Sequence, residues 1–260
     1  MGGEWLLPLY GLAVGLLVGL TGMGGGVLMM PLLVLGLGMP ATAAVGTDLA
    51  YSSLTKLAGA WQHWRQGTVD SSVVRDLAIG SVPATLVAVA LLYFLRDGSE
   101  LASDRWLNSA IAVMLVVAAS LMLFRVIRGH RDEVTSMRAT HRHQFAKIVA
   151  IGALGGFLVG LTSIGSGSVI IALLVLAVSL RPERLVGTDV AHAFLLVTAA
   201  ALAHIFFLND VDFRLASLLL IGSIPGVIIG SRLMVRVPRR PLQIGLAGLL
   251  LSTAAKMLVP

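Results

Sequence analysis

The 260-residue sequence contains no cysteine, and only 12% of its residues are charged. Without cysteine the chain has no disulfides, no thiol redox chemistry and no Cys-ligated zinc or iron–sulfur centre. It also has no nucleophile elbow, nucleotide-binding loop or ATP-binding module, so we expect neither an enzyme nor transport driven by ATP hydrolysis. The histidines between residues 128 and 144 show no convincing metal-ligand spacing. We therefore expect no cofactor and no metal site.

What the sequence has in abundance is apolar residues, at 57% of the chain with a mean hydropathy of +0.93. Soluble proteins carry about 25% charged residues, roughly twice the share found here. Apolar segments long enough to cross a bilayer recur, and the net charge of +6 collects between them. This pattern predicts an all-α polytopic protein of the lipid bilayer, without a nucleic-acid partner. Because the chain starts Met-Gly-Gly-Glu4 without a basic segment, we expect the first apolar segment to be retained as a membrane helix.

The chain is an internal duplication with an offset of 141 residues. Three motifs recur in the same order, and one extra residue enters the second copy before the last of them. We therefore divide the chain into a first repeat (1–127), a basic cytoplasmic linker (128–144) and a second repeat (145–260). The matched motifs are Gly19-Leu20-Thr21-Gly22-Met23-Gly24-Gly25-Gly26 with residues 160–167, Val45-Gly46-Thr47-Asp48 with residues 186–189, and Gly80-Ser81-Val82-Pro83 with residues 222–225.

Each repeat begins with two apolar segments separated by the glycine motif. In the first repeat these segments are residues 5–20 and 27–38, each short for a bilayer crossing and together too long for one. We predict a glycine-broken helix pair followed by three transmembrane helices in each repeat. With five segments per repeat, the Lys and Arg residues outside the spans divide 14 against 4 between the two membrane faces. The positive-inside rule then predicts inverted repeats with both termini outside, an arrangement typical of transporters.

The glycine motifs predict substrate-binding loops. Irregular backbone at membrane depth is tolerated where it is buried or lines a cavity. Each loop also opens a helix, whose free N–H groups and positive dipole end suit an oxyanion of sulfur or phosphorus. The alternative is that small residues serve only tight helix packing. The loop residues predicted to bind substrate are Thr21, Gly22, Gly24, Gly25, Gly26, Thr162, Ser163, Gly165, Ser166 and Gly167.

Ionisable residues within the spans are the second candidate group. Asp48, Ser52 and Lys56 follow one another at steps of four, which places them on one side of a helix. Ionisable groups are costly there and usually mark a pathway or a pair. We predict that Ser52 and Lys56 bind an anion, and that Asp48, Asp189 and His192 take part in proton coupling.

Structural alternatives exist for these residues. Asp48 and Asp189 could instead cap helix starts, and Lys56 could extend to the membrane surface. His63, which lies between two tryptophans, fits an aromatic belt at the membrane interface better than a catalytic role.

At these motifs the chain resembles the TauE/SafE family, also called the sulfite exporter or four-toluene-sulfonate uptake family. The resemblance rests on the first glycine motif, on Val45-Gly46-Thr47-Asp48-Leu49-Ala50 with the segment 52–56, on Gly187-Thr188-Asp189, and on Gly222-Ser223-Ile224-Pro225-Gly226. It implies a bacterial inner-membrane permease for sulfite, sulfonates or related organosulfur anions, coupled to protons. Ser166 stands where the first loop has Gly25, so the two loops need not bind substrate equally.

The sequence thus predicts a secondary transporter for small sulfur-containing anions. A channel or permease for another small ion, including a metal cation, is the first alternative, although two carboxylates without cysteine make a poor divalent site. A membrane-embedded enzyme or assembly factor is the second alternative. A homo-oligomer is compatible with the sequence, which does not specify one.

Overall fold

The computed structural model describes residues 6–21, 25–96, 100–128, 141–167, 169–178, 180–233 and 239–258. Within these ranges all regular secondary structure is helical. The first repeat contains α1 (Leu7–Thr21), α2 (Gly26–Pro31), α3 (Ala41–Arg65), α4 (Ser71–Arg96) and α5 (Glu100–Arg128). The second contains α6 (His141–Thr162), α7 (Val169–Ala177), α8 (Pro182–Ala203), α9 (Phe213–Leu233) and α10 (Arg239–Leu258). π-Helical turns extend α2 over Leu32–Gly36 and α8 over His204–Leu208.

The predicted all-α membrane architecture is confirmed. Six helices in the described ranges are long and apolar enough to cross a membrane: α4, α5, α6, α8 with its π turn, α9 and α10. α3 has sufficient length, but it is less apolar because it carries the polar side chains described below.

The glycine motifs do break the helices. In the first repeat α1 ends at Thr21 and α2 begins at Gly26, and in the second α6 ends at Thr162 and α7 begins at Val169. The 15 residues of α1 span about 22 Å, short for a membrane crossing. Pro182 opens α8 as its first helical residue, where its missing N–H costs nothing.

Two equivalent helix pairs form the close-packed seams of the molecule. α1 lies parallel to α9, with Gly11 and Gly15 against the backbone of Leu219 and Ser223. At each of these two glycines an added Cβ would fall closer than 3.0 Å to backbone atoms of α9. Only glycine permits this approach of two backbones.

The matching seam joins α6 to α4, again in parallel. Gly152 lies against Leu77 and Gly156 against Ser81, and these are the counterparts of the α1–α9 contacts. The same exchange of repeats therefore relates both seams.

α3 and α8 pack against each other in opposite directions. Gly46, near the start of α3, contacts His204 and Asp210 at the far end of α8, while Gly187 near the start of α8 contacts Thr68 beyond the end of α3. α3 and α8, which occupy equivalent places in the two repeats, thus run antiparallel. Residues 129–140 of the linker lie outside the described residues, and the domain boundaries and the orientation of the repeats in the membrane stay predictions.

Candidate functional site

The Gly-Thr part of the repeated Gly-Thr-Asp motif joins the two repeats. The N–H of Asp70 donates to Thr188 Oγ1 at 2.9 Å, and the N–H of Asp212 donates to Thr47 Oγ1 at 3.0 Å. Both threonines are fully buried. Each repeat therefore satisfies a backbone amide of the other, which fixes the relative positions of α3 and α8.

Asp70 and Asp212 also cap the helices that follow them, α4 and α9. Asp70 Oδ1 accepts N–H groups of Ser72 and Val73 at the start of α4, and Asp212 Oδ1 accepts the N–H of Leu215 at the start of α9. Partial burial raises the pKa of the Asp70 carboxyl. The hydrogen bonds from Ser72 and Val73, together with the positive charge of nearby Arg184, outweigh that effect and leave the pKa below its ordinary value.

Asp48 of the Gly-Thr-Asp motif lies where the two glycine loops meet. It is fully buried, and its Oδ2 accepts the hydroxyl of Ser163 from the second loop at 2.5 Å. Ser52 Oγ donates to Oδ1 at the long distance of 3.5 Å. Gly26 of the first loop packs so closely that an added Cβ would lie within 3.0 Å of both Asp48 Oδ2 and the Ser163 carbonyl. One carboxyl thus contacts both irregular segments.

Ser163 reaches Asp48 because α6 ends in a left-handed turn. Its φ of 58° is uncommon for a residue other than glycine and costs about 1–3 kcal/mol. Its own N–H closes the helix on the Val159 carbonyl at 2.8 Å. Gly165, with φ of 118°, then continues the turn in a conformation that L side chains rarely adopt. Strain of this kind concentrates at functional sites.

Tyr51 closes the centre on the side of the first glycine loop. An added Cβ on Gly25 would lie 3.1 Å from the Tyr51 ring and 3.5 Å from Ser52 Oγ. The Tyr51 hydroxyl is hydrogen-bonded to Ser223 Oγ of α9. Tyr51 and Ser223 are both buried. α3 is therefore tied to α9 by a side-chain pair at the level of the first loop.

His192 is the counterpart of Tyr51 in the second repeat, and it makes the equivalent contact. Its Nε2 lies 2.8 Å from Ser81 Oγ of α4, and both residues are fully buried. Ser81 and Ser223 occupy the same position of the repeated Gly-Ser-X-Pro motif. The two pairs are thus related by the exchange of repeats, with imidazole in one and phenol in the other.

Lys56 brings a positive charge to this centre. It lies on α3 two turns beyond Asp48, and it is half-buried. Its ammonium interacts electrostatically with the carboxyls of Asp189 and Asp48. It also acts on the imidazole of His192. Ser52 is thus joined to Asp48 by a hydrogen bond, whereas Lys56 is linked to Asp48, Asp189 and His192 by electrostatic interaction.

Several predicted loop residues have local roles. The hydroxyls of Thr21 and Thr162 donate to carbonyls of their own helices, Leu17 and Leu158, at 2.8 Å each. The first two N–H groups of α7 both donate to the Gly165 carbonyl at 3.2 Å. These groups hold the ends of the helices.

The remaining loop predictions fall in two classes. Ser166 is buried and Gly167 half-buried in the turn that precedes α7. Gly22 and Gly24 lie outside the described residues. The contact of all four residues with substrate stays a prediction.

The capping alternative for Asp48 is wrong. Asp48 lies beyond the first turn of α3 and bonds side-chain hydroxyls, whereas Asp70 and Asp212 carry out the capping.

His63 bonds Thr68 Oγ1 through Nδ1 at 2.9 Å, between exposed Trp61 and Trp64. That position, at the end of α3, agrees with the interfacial interpretation.

Sequence reasoning missed the partners of the central residues. Ser81 and Ser223 stand in one repeated motif and Thr47 and Thr188 in another, but the repeat by itself does not indicate what they bond. A polar residue that recurs at the same place in two copies of an apolar motif was the available signal. In the described ranges, no group of three or more His, Asp or Glu side chains could hold a metal ion.

Comparison with known proteins agrees with the geometry. The sequence profile described as "Sulfite exporter TauE/SafE" matches residues 7–257. The chain belongs to the TauE/SafE family. The matched range includes both glycine loops and the buried residues Asp48, Asp189 and His192.

Curated relatives of this TauE/SafE protein come from Bacillus subtilis strain 168. It is 42% identical to the "Probable membrane transporter protein YjnA" over 256 residues, which cover 96% of this chain and 98% of the relative. It is 27% identical to YdhB, also described as a probable membrane transporter protein, over 90% of this chain and 91% of that one. No solved structure matches. The protein is accordingly a multi-pass membrane transporter of this family.

Proposed function

We propose that this protein is a proton-coupled secondary transporter of small sulfur-containing oxyanions such as sulfite or organosulfonates. The observation that carries the proposal is the buried meeting point of the two glycine loops at Asp48. There the buried carboxyl of Asp48 accepts a hydrogen bond from Ser163, and Lys56 acts electrostatically on Asp48 and on the imidazole of His192. Ionisable groups inside a membrane protein are expensive, and they mark substrate or proton pathways.

The mixture of charges supports an anion with proton coupling. Lys56 supplies the positive charge that an oxyanion needs, while Asp48 and Asp189 can each take up a proton. Protonation of either carboxyl would raise the net positive charge beside Lys56 and strengthen anion binding. The coupling between proton and anion then follows from electrostatics alone.

The exchange symmetry of the helices supports alternating access. Two parallel seams, α1 with α9 and α6 with α4, surround an antiparallel α3–α8 pair. Transporters built from inverted repeats move one half against the other around a site near the midplane. We place the protein in the bacterial inner membrane with both termini outside and the linker 128–144 in the cytoplasm.

Flux in liposomes tests this function. Purified protein is reconstituted, and uptake of sulfite and of methanesulfonate is measured with and without an imposed pH gradient. We expect uptake that follows the gradient, and we expect Asp48→Asn to carry the anion downhill while losing its response to the gradient. Protein-free liposomes and His63→Asn protein provide the controls. Wild-type protein that moves neither anion would overturn the substrate class, and a gradient response retained in Asp48→Asn would remove Asp48 from coupling.

A further inference from the structure

One of the two ring nitrogens of His192 has no partner among the described residues. His192 is fully buried, and while its Nε2 contacts Ser81, its Nδ1 has no hydrogen-bond partner in the described part of the chain. Buried polar atoms in native proteins are nearly always satisfied by protein, water or a ligand. Lys56 acts electrostatically on the same imidazole. A fully buried imidazole nitrogen without a partner in this part of the chain indicates a place for a ligand.

The donors and acceptors of His192 and Ser81 indicate which ring nitrogen of His192 carries the proton. A neutral imidazole has one N–H donor and one acceptor nitrogen. If Ser81 Oγ–H donates to Nε2, the proton is on Nδ1, and only the Nδ1–H is open. If Nε2–H donates to Ser81, both the Ser81 hydroxyl hydrogen and the Nδ1 lone pair lack a partner among the described residues. The first arrangement leaves fewer buried groups unsatisfied, so Nδ1 is the donor.

We propose that His192 binds the transported anion directly, its Nδ1–H donating to an anion oxygen while Ser81 holds the ring in that tautomer. This inference rests on the proposed function as an oxyanion transporter. Lys56 of the first repeat and His192 of the second would then contact the same anion. Ser81 acts as a positioning residue, because it touches only the imidazole.

The counterpart pair explains why the site is one-sided. Tyr51 has a single polar atom, and that hydroxyl is already bonded to Ser223. It keeps no second ring donor for a ligand. The position equivalent to Lys56 is Val197, which is fully buried and apolar. The anion site is therefore built from one lysine and one histidine and is not duplicated.

Two conservative variants separate anion binding from the Ser81 contact. The amide nitrogen of asparagine reaches the position of Nδ1, whereas that of glutamine reaches the position of Nε2. Sulfite binding to purified protein is measured by calorimetry for wild type, His192→Asn and His192→Gln. We expect His192→Asn to bind within about threefold of wild type and His192→Gln to bind about tenfold to hundredfold more weakly. If His192→Gln kept wild-type affinity and His192→Asn lost it, the Ser81 contact alone would matter and the proposal would fail.

A spectroscopic measurement tests the tautomer without any substrate. Protein labelled with ¹⁵N-histidine is compared with His192→Asn protein to assign the ring signals of His192. We expect an Nδ1-protonated ring whose Nδ1 signal shifts when sulfite is added, and His63→Asn protein should keep both this shift and the wild-type affinity. An Nε2-protonated ring in a protein that binds sulfite would overturn only the role of His192. A wild-type protein that does not bind sulfite, with an Nδ1-protonated ring, would instead count against the proposed substrate class.

Discussion

Tyr51 and His192 occupy equivalent positions in the two repeats, and each is hydrogen-bonded to the serine of a Gly-Ser-X-Pro motif in the opposite repeat. The pairs are Tyr51 with Ser223 and His192 with Ser81. The contact has been retained while the chemistry of the residue that makes it has changed. The single hydroxyl of Tyr51 is bonded to Ser223, whereas the imidazole of His192 has a second ring nitrogen besides the one that contacts Ser81.

The same division applies to the rest of the molecule. The glycine seams and the Thr47 and Thr188 hydrogen bonds are duplicated, and they hold the helices. Lys56 and Ser163 have no polar counterpart, since Val197 and Gly22 occupy the equivalent positions. The scaffold is therefore symmetric, whereas the centre, which keeps Asp48 and Asp189 as counterparts, differs between the repeats at Lys56 and Ser163.

The largest effect is expected at the seams, where the two repeats should behave alike. Gly15→Ala and Gly156→Ala each place a Cβ closer than 3.0 Å to the backbone of the partner helix, so the helices must separate. We expect each change to lower the free energy of unfolding by at least about 2–3 kcal/mol, measured by thermal unfolding in detergent. Gly248→Ala, where an added Cβ meets open space in α10, is the matched control and should be as stable as wild type or up to about 1 kcal/mol more stable, because alanine favours the helix. A clear loss at Gly15 with none at Gly156 would show that the seams are not equivalent.

The buried centre around Asp48 should respond differently in the two repeats, because Lys56 has Val197 as its counterpart. Lys56→Met removes the positive charge, and we expect sulfite affinity to fall about tenfold to hundredfold, because a hydrogen bond to a charged group contributes about 1.5–3 kcal/mol. Lys147→Met removes an exposed cation from α6 and should leave affinity unchanged. Calorimetry on the two purified variants gives the comparison, and equal affinities would take Lys56 out of the site.

The hydrogen bonds of Thr47 and Thr188 provide a second test of the equivalence of the two repeats. Thr47→Val and Thr188→Val each leave a backbone N–H of the opposite repeat without its acceptor, at a cost of about 1–3 kcal/mol. The Thr198 hydroxyl is buried and has no partner within the described residues, so Thr198→Val should be neutral or stabilising. Thermal unfolding of the three variants measures the contrast. A Thr198→Val protein as unstable as Thr188→Val would contradict the hydrogen-bond explanation.

The smallest effect is expected at the helix caps. Asp70→Ala should cost about 1 kcal/mol at neutral pH. Because the folded-state pKa of Asp70 is lowered, its contribution is complete above the unfolded-state pKa of about 3.9 and is lost as the pH falls through the lower folded-state value. The difference in melting temperature between wild type and Asp70→Ala should therefore narrow below about pH 4. A difference that is constant down to pH 2 would contradict this account.

Much of the scaffold could be predicted from the sequence. The interruption of the first and sixth helices followed from glycine runs inside apolar segments, and the central position of Asp48 followed from a carboxylate within a span. The partners could not be predicted, because Ser81 and His192 lie 111 residues apart and their contact depends on the register of α4 against α8. The use of Thr21 and Thr162 as helix-end groups was also hidden, since a hydroxyl beside a glycine loop suits a ligand and a carbonyl equally well.

The inverted arrangement of the two repeats can be tested by cysteine labelling, because the chain has no native cysteine. Gln66 follows α3 and Asn209 follows the π turn of α8, so these two exposed residues lie beyond the ends of equivalent helices. A single cysteine is introduced at either position and treated in intact cells with a membrane-impermeant thiol reagent, before and after permeabilisation. We predict immediate labelling at position 209 and labelling at position 66 only after permeabilisation. Labelling of both positions from the same side would contradict inverted repeats.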